Sequence, residues 1–220
     1  MKSPIMSQTL SLTTDSVIQA AEWLKSGRLL AYPTESVWGI GCDPFNEAAV
    51  QLLLAIKQRP IDKGMIVVTD CVERIEPLLN NLRPTQRQAV IDSWDMSSHT
   101  TAKQAHTWLL PLPQNSSHPL TVPIPSWITG AHDSVAVRVI AHPVIKQLCA
   151  NLVSAHNPYG FIVSTSCNPS GQAPALSLAQ AQAYFVENND GAQVGYLQGE
   201  TLGYQMPSQI NDALTGQVLR

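Results

Sequence analysis

The sequence FIVSTSCNPSG, residues 161–171, joins an apolar run to a short polar segment. Its first three residues are typical of a buried strand. Asn168 precedes a proline, which disfavours the helical conformation, so the chain should stay extended and side chains two residues apart should share a face. We therefore expect Ser164, Ser166 and Asn168 to point to one side, before a turn whose backbone N–H groups can meet phosphate oxygens. The same residue types are also typical of an ordinary turn.

Two earlier segments, PTES at 33–36 and KQRP at 57–60, also place polar residues after an apolar run. The proline of the second should end the preceding helix near Lys57 and leave Arg59 extended, so both cationic side chains should point to one target. Such a pair suits a polyphosphate, although Lys-x-Arg after a helix is also typical of a solvated C-terminal cap. Together the three segments predict an α/β protein with an anion pocket beyond the ends of its strands.

The composition predicts one α/β domain. The chain has 220 residues, of which 44% are hydrophobic and 13% charged, which is enough for a single well-filled core. We expect this domain to span residues 1–220, with its core at about 10–220. The net charge of −3 and the pI near 6.0 exclude bulk attraction to nucleic acid, so any RNA contact needs a local basic patch.

Several features indicate a cytoplasmic protein without a bound zinc ion. The four cysteines are far apart and form no Cys-x-x-Cys motif, which favours reduced thiols. The first residues lack the pattern of a signal peptide, and no apolar run approaches the roughly 20 residues that span a bilayer. The six histidines show no metal-ligand spacing, so we expect no metal ligands from the protein.

Periodicity and capping residues predict alternating helices and strands. Thr14 or Asp15, Asn46 and Thr85 are expected to cap three of the helices. The helices are predicted near residues 14–26, 47–56, 72–79, 85–93, 143–152 and 177–186. The strands are predicted near residues 29–32, 65–68, 108–112, 135–140, 160–165 and 193–197, with another close to the C-terminus.

The polar segments and their surroundings resemble the YrdC-like family of threonylcarbamoyl-AMP synthases, in its short single-domain bacterial form. The likeness extends over nearly the whole chain. It is carried by AYPTESVWGIGCDP (31–44), KQRPIDKG (57–64), SVAVRV (134–139) with His142-Pro143, STSCN (164–168), Pro207-Ser208 and DALTG (212–216).

This resemblance implies a fold and a reaction. The fold would be a twisted mixed β-sheet flanked by helices around a deep basic cavity. The reaction would convert L-threonine, bicarbonate and ATP into L-threonylcarbamoyladenylate and pyrophosphate. A partner transferase complex would then use the product to modify tRNA. Mg²⁺ would accompany ATP, held mainly by phosphates and water.

The resemblance also implies roles for individual residues. Lys57 and Arg59 would be catalytic and would clamp the phosphates. Arg138 would bind either the threonine carboxylate or a phosphate. Glu35 and Asp62 would either support these groups or be ordinary surface carboxylates. The remaining implied positions are Ser164, Ser166, Asn168 and Ser208 for the nucleotide, and Thr34 and Lys63, with Arg138, for threonine.

One segment departs from the family pattern. Trp94 is followed by a polar insertion at about 95–106 where family members have Pro-Gly-Pro, so we expect a mobile loop and a displaced Thr107. A tolerated insertion, an altered paralogue and a sequence error each explain it. The altered segment also leaves open an alternative function, an RNA-binding or ribosome-associated factor with a degenerate catalytic site.

Overall fold

A computed structural model describes residues 12–95, 104–113, 120–185 and 194–220. The described chain forms a mixed nine-stranded sheet in the order β1-β8-β2-β3-β7-β4-β6-β5-β9. The pairs β1–β8, β2–β8, β4–β6 and β5–β9 are parallel, and the other four pairs are antiparallel. The strands are β1 (Leu12–Thr14), β2 (Leu29–Pro33), β3 (Trp38–Gly41), β4 (Ile66–Thr69), β5 (His106–Pro111), β6 (Ser134–Val139), β7 (Ile162–Ser166), β8 (Val194–Leu197) and β9 (Gln209–Asp212).

Helices flank this sheet, as predicted. They are α1 (Val17–Lys25), α2 (Glu47–Lys57), α3 (Glu76–Leu79), α4 (Pro84–Trp94), α5 (Ser126–Thr129), α6 (Pro143–Leu152) and α7 (Leu178–Phe185), with 3-10 turns at Ile61–Lys63 and Val72–Ile75. The predicted helix at 72–79 is therefore split into a 3-10 turn and a short α-helix. None of the helices in the described ranges has the length and apolar character needed to cross a membrane.

Two apolar clusters bury both faces of the sheet. Strand β2 contributes to both of them, because side chains alternate along a strand. Leu29 and Ala31 lie in a large cluster with residues of α2, α4 and α7. Leu30 and Tyr32 lie in a second cluster with residues of α1 and α6. The central strands are therefore covered on each side, and only their ends are available for polar chemistry.

The helix caps partly match the predictions. Asn46 caps α2, because its Oδ1 accepts a hydrogen bond from the Ala49 N–H at 3.1 Å. The predicted cap of α1 is wrong: Thr14 ends β1, and Ser16 caps the helix by accepting from Gln19 N at 3.3 Å. The predicted cap of α4 is also wrong. Pro84 begins that helix, because a proline needs no hydrogen-bonded N–H at the first position.

The ends of the predicted insertion are held together. Trp94 Nε1 donates to His106 O at 2.8 Å, and Trp108 Nε1 donates to Ser93 Oγ at 2.8 Å. Residues 96–103, which include most of the expected mobile loop, lie outside the described residues. Strand β5 pairs with β9 from His106 and with β6 from Trp108. Thr107 is fully buried in this strand, opposite Ile210 of β9, and its displacement relative to the family pattern stays a prediction.

Strands β3 and β7 approach each other closely at Gly41. A Cβ atom at this position would lie 1.7 Å from the Val163 carbonyl oxygen, and that oxygen is fixed within the sheet. Val163 N also donates to Cys42 O at 2.9 Å, so the two backbones cannot separate without losing this bond. Only glycine fits between the strands here.

We therefore expect Gly41→Ala to destabilise the protein by about 3 kcal/mol or more, because a backbone oxygen cannot move aside. The matched control is Gly171→Ala, where nothing lies within 4 Å of the added methyl group and only the positive φ of 78° is unfavourable. That change should cost about 1–2 kcal/mol. Urea unfolding of both variants measures the difference, and equal losses would contradict the close approach.

Candidate functional site

A cavity of about 1040 Å³ opens where several strands end. Its wall includes β3, β6, the end of β7 and the loop between β2 and β3. Residues 198–208, which we call the strap, connect β8 to β9 and form another part of the wall. The strap is joined to the loop between β2 and β3 by two backbone hydrogen bonds, from Leu202 N to Thr34 O and from Tyr204 N to Glu35 O. The cavity thus draws on segments that are far apart in the sequence.

Most of the residues predicted for the site line this cavity. The seven that do are Thr34, Arg59, Lys63, Arg138, Ser164, Ser166 and Ser208. Lys57 and Asn168 are not among its lining residues. The described lining contains no aspartate or glutamate side chain.

Lys57 and Arg59 do not form an extended pair, and that prediction is wrong. Lys57 is the last helical residue of α2, and Gln58 adopts a left-handed conformation with φ of 47° that turns the chain. Lys57 Nζ donates to Ser166 O at 2.7 Å and to Asn168 O at 2.6 Å. Burial, with a smaller effect from Arg59, lowers the pKa of Lys57 to about 8, so the ammonium keeps its proton at neutral pH.

Asn168 has a structural position beyond the end of β7. Its N–H donates to Ser166 O at 3.0 Å, which makes a tight turn and ends the alternation of the strand. The predicted common face therefore holds for Ser164 and Ser166, whereas Asn168 points elsewhere. Its Nδ2 donates to Pro169 O and Gln172 O at 2.9 and 2.8 Å, and its Oδ1 accepts from Lys57 Nζ at 3.2 Å. Asn168 and Lys57 together shape the wall that carries the two serines.

Arg59 is held by backbone carbonyls at one side of the cavity. Its Nε and Nη2 donate to Gly64 O at 3.1 and 2.8 Å, and Nη2 also reaches Lys63 O at 3.3 Å. Burial lowers the pKa of the guanidinium, and Arg220 lowers it further, which indicates that two positive charges lie close together. These contacts fix the guanidinium without neutralising it.

Arg220 was missed by the sequence analysis. It lines the cavity, and its Nη2 lies 3.5 Å from both the carbonyl oxygen and Oγ of Ser208. No local motif surrounds it, because its position depends on a bridge that brings Val218 back to Asn211 beside β9. The lining residues of the strap were missed for a similar reason, apart from Ser208, since the strap has no regular periodicity.

Arg138 forms an ion pair with Glu35 at the wall of the cavity. Arg138 Nη1 lies 3.6 Å from Glu35 Oε2, and both side chains are largely buried. Glu35 Oε1 accepts a hydrogen bond from Ala141 N at 2.8 Å. Glu35 is therefore not a surface carboxylate, which was one of its two predicted interpretations. Asp62, by contrast, is exposed.

Thr34 lies beside this pair in a tight turn. Its Oγ1 donates to Val37 O at 2.7 Å, and its N–H donates to the same oxygen at 3.1 Å. A Cβ at Gly39 would lie 3.1 Å from the Thr34 methyl group and 3.5 Å from Ser164 Oγ. Because residue 39 is a glycine, the space between the Thr34 and Ser164 side chains stays open.

Cys167 follows β7 and is buried. Burial raises the pKa of its thiol to about 12, which excludes a thiolate nucleophile at neutral pH.

Comparison with known proteins decides the family. The model of the Sua5/YciO/YrdC family, described as "Telomere recombination", matches residues 22–220. The chain belongs to this family. The threonylcarbamoyl-AMP synthase of Psychrobacter cryohalolentis is 68% identical over 218 residues, which cover 98% of this chain and 100% of that protein. The threonylcarbamoyl-AMP synthase of Acinetobacter baumannii is 50% identical over 95% of this chain and 100% of its own length.

Solved structures agree with this assignment. A variant of Sua5 from P. abyssi superposes with a TM-score of 0.72 at 25% identity, covering 93% of this chain and 55% of Sua5. Sua5 from the same source, in complex with L-threonine, gives a TM-score of 0.67 at 26% identity, with coverage of 89% and 50%. The predicted family, its short form and the mixed α/β fold are thereby confirmed.

The hydrogen bonds of Lys57 predict a stability effect. We expect Lys57→Met to lower the free energy of unfolding by about 1–3 kcal/mol, because it leaves partly buried carbonyl oxygens without a donor. Lys25→Met is the matched control: it removes only an exposed pair with Glu22, in which the two side chains are 45% and 63% exposed, and should change stability by less than about 0.5 kcal/mol. Urea unfolding is the measurement, and similar small effects in both variants would refute the anchoring role of Lys57.

Proposed function

We propose that this protein is a threonylcarbamoyl-AMP synthase, forming L-threonylcarbamoyladenylate and pyrophosphate from L-threonine, bicarbonate and ATP. One observation carries the proposal. The cavity is lined by Arg59, Lys63, Arg138 and Arg220 together with serine hydroxyls, and by no aspartate or glutamate side chain in the described ranges. Full-length relatives in the same family carry this enzyme name.

The chemistry requires stabilisation of negative charge on phosphate oxygens. The threonine amine takes up CO₂ from bicarbonate to give a carbamate, and a carbamate oxygen forms a bond to the α-phosphorus of ATP. The bond from that phosphorus to the leaving pyrophosphate breaks in the same substitution. Little covalent chemistry falls to the protein, so positioning and charge stabilisation are its main tasks.

We assign the binding of the triphosphate to Arg59 and Arg220. Both are cationic, they lie close together, and no side-chain carboxylate of the described residues lies within ion-pair distance of either. Ser208 stands beside Arg220, and Ser164 and Ser166 present hydroxyls at the end of β7. Lys57 and Asn168 act on the nucleotide through the wall that they hold, so we assign them a positioning role.

We assign three residues to the binding of the amino acid, namely Arg138, Thr34 and Lys63. Arg138 carries donors that can bind a carboxylate in a bidentate manner. Thr34 and Gly39 bound a small space beside it. The Sua5 relative that was solved with L-threonine supports an amino-acid subsite in this fold. Arg138 is accordingly assigned to the threonine carboxylate and Arg59 to phosphate.

A divalent ion fits this site only as a companion of ATP. Among the described residues no group of three or more histidine, cysteine or acidic side chains could hold a metal ion. We propose that Mg²⁺ binds through the phosphates and water, where it would neutralise part of their charge.

The product is an acyl adenylate analogue. We propose that a cytoplasmic transferase complex consumes it in tRNA modification.

Pyrophosphate release tests the proposal directly. Purified protein with ATP should release pyrophosphate only when both threonine and bicarbonate are present, and serine should be a poorer substrate. No release under conditions where the P. cryohalolentis relative is active would refute the function. Salt-sensitive RNA binding that survives Lys57→Ala, without such release, would instead indicate the RNA-binding alternative.

The role of Arg59 gives a separate prediction. Arg59→Met should lower kcat/KM for ATP by about 100-fold, because it removes a fixed cation from the charge that develops in the transition state. Arg83→Met, which alters an exposed arginine outside the cavity lining, should leave the rate within about twofold. Steady-state kinetics at saturating threonine measure both. Equal rates for the two variants would exclude Arg59 from the nucleotide site.

A further inference from the structure

The cationic side chains of the cavity differ in their charge balance. Arg59 and Arg220 lie close together, and no side-chain carboxylate of the described residues pairs with them. Arg138 is different, because Glu35 Oε2 lies 3.6 Å from its Nη1. One part of the wall therefore carries two cations without an ion pair, with Asp62 exerting only a smaller effect on Arg59, whereas the other carries a nearly neutral pair.

Glu35 is held by two hydrogen bonds and by burial. Its Oε1 accepts from Ala141 N at 2.8 Å, just beyond the end of β6. Its carbonyl oxygen accepts from Tyr204 N at 2.9 Å, which ties it to the strap. Its side chain is 1% exposed. The carboxylate consequently has little freedom to turn away from Arg138.

The pairing leaves Arg138 donors available. Glu35 Oε2 and Arg138 Nε are buried and make no hydrogen bond within the described structure. A bidentate pair would have engaged both carboxylate oxygens and two guanidinium nitrogens. Here the carboxylate uses one oxygen for the backbone and approaches the guanidinium loosely. Arg138 Nε itself is buried, but the side chain lines the cavity and is 11% exposed, so its terminal guanidinium nitrogens can meet a ligand that enters from the cavity.

A purely stabilising role does not account for this arrangement. Removing two charges from water costs more than a loose pair returns, and apolar replacements of buried pairs are often neutral or stabilising. The other ionisable side chains close to the pair, Tyr32, Cys149 and Tyr204, have pKa values raised mainly by burial and are neutral at neutral pH. Among the described residues, Glu35 is the carboxylate within ion-pair distance of Arg138.

We propose that Glu35 is the specificity-determining residue of the amino-acid subsite: it positions Arg138 for a zwitterion, and its charge keeps phosphate out. This inference rests on the proposed function. The desolvation cost of an anion rises steeply with its charge, and a neutral pair attracts ions only weakly. A polyanion needs the uncompensated charge of Arg59 and Arg220. An amino acid is itself nearly neutral. Its carboxylate can accept hydrogen bonds from Arg138, and its ammonium carries a charge opposite to that of Glu35.

Calorimetric titrations of the full chain test this division. Threonine and inorganic phosphate are titrated separately, and threonine is then titrated in the presence of phosphate. In the natural protein, phosphate should bind without competing with threonine. In Glu35→Gln, the amide keeps the acceptor for Ala141 N but removes the charge. The ratio of phosphate affinity to threonine affinity should then rise about tenfold, and phosphate should compete with threonine.

A double-mutant cycle separates this role from a structural one. In an Arg138→Gln background, Glu35→Gln should leave the affinity ratio unchanged, because Glu35 acts through Arg138. Glu47→Gln is the matched control, since Glu47 is exposed in the first turn of α2 and lies outside the cavity lining. If Glu35→Gln does not fold, Glu35→Asp should keep phosphate excluded while weakening threonine binding, because the charge stays but is withdrawn from Arg138.

The outcomes are distinct. Phosphate that competes equally with threonine in the natural protein and in Glu35→Gln overturns the inference, as does an unchanged affinity ratio. A natural protein that binds phosphate but no threonine overturns the proposed function instead. In that case the phosphate titrations still decide whether Glu35 excludes phosphate, because tighter or additional phosphate binding in Glu35→Gln requires no amino acid.

Discussion

The contact between β3 and β7 is the constraint on which the cavity depends. Strand β7 pairs with β3 on one side and with β4 on the other, so it joins the two halves of the sheet. Gly41 allows the two strands to approach where any side chain would overlap Val163 O. Because β7 is central, its polar end lies in the interior of the molecule rather than at an edge. Ser164 and Ser166 can therefore face a cavity bounded by several strands.

The end of β7 needs support, and α2 supplies it. A strand that ends inside a protein leaves carbonyl oxygens without partners, which is unfavourable unless a donor reaches them. Lys57 reaches Ser166 O and Asn168 O from the last turn of α2. Burial lowers the pKa of Lys57 only to about 8, so the ammonium keeps its charge at neutral pH. The helix thus fixes the segment that carries the hydroxyls.

The predictions from the sequence succeeded where local rules decide the structure. The buried run at 161–163, the Asn46 cap and the helix at 143–152 follow from hydrophobicity and capping, and the structure contains all three. The direction of Lys57 was wrong because a single left-handed residue, Gln58, turns the chain, and Lys-x-Arg spacing carries no sign of it. Arg220 and the strap escaped detection because long-range contacts alone bring them to the cavity.

The polar insertion is compatible with an intact site for a physical reason. A longer loop between two points that lie close together costs little, since the entropy of loop closure grows only slowly with length. The hydrogen bond between Trp94 and His106 holds those two points together, and β5 then runs in register between β6 and β9. Leu109 and Ser208 consequently reach the cavity wall from this edge of the sheet. The two ends of the insertion therefore leave β5 and its contribution to the cavity wall in place.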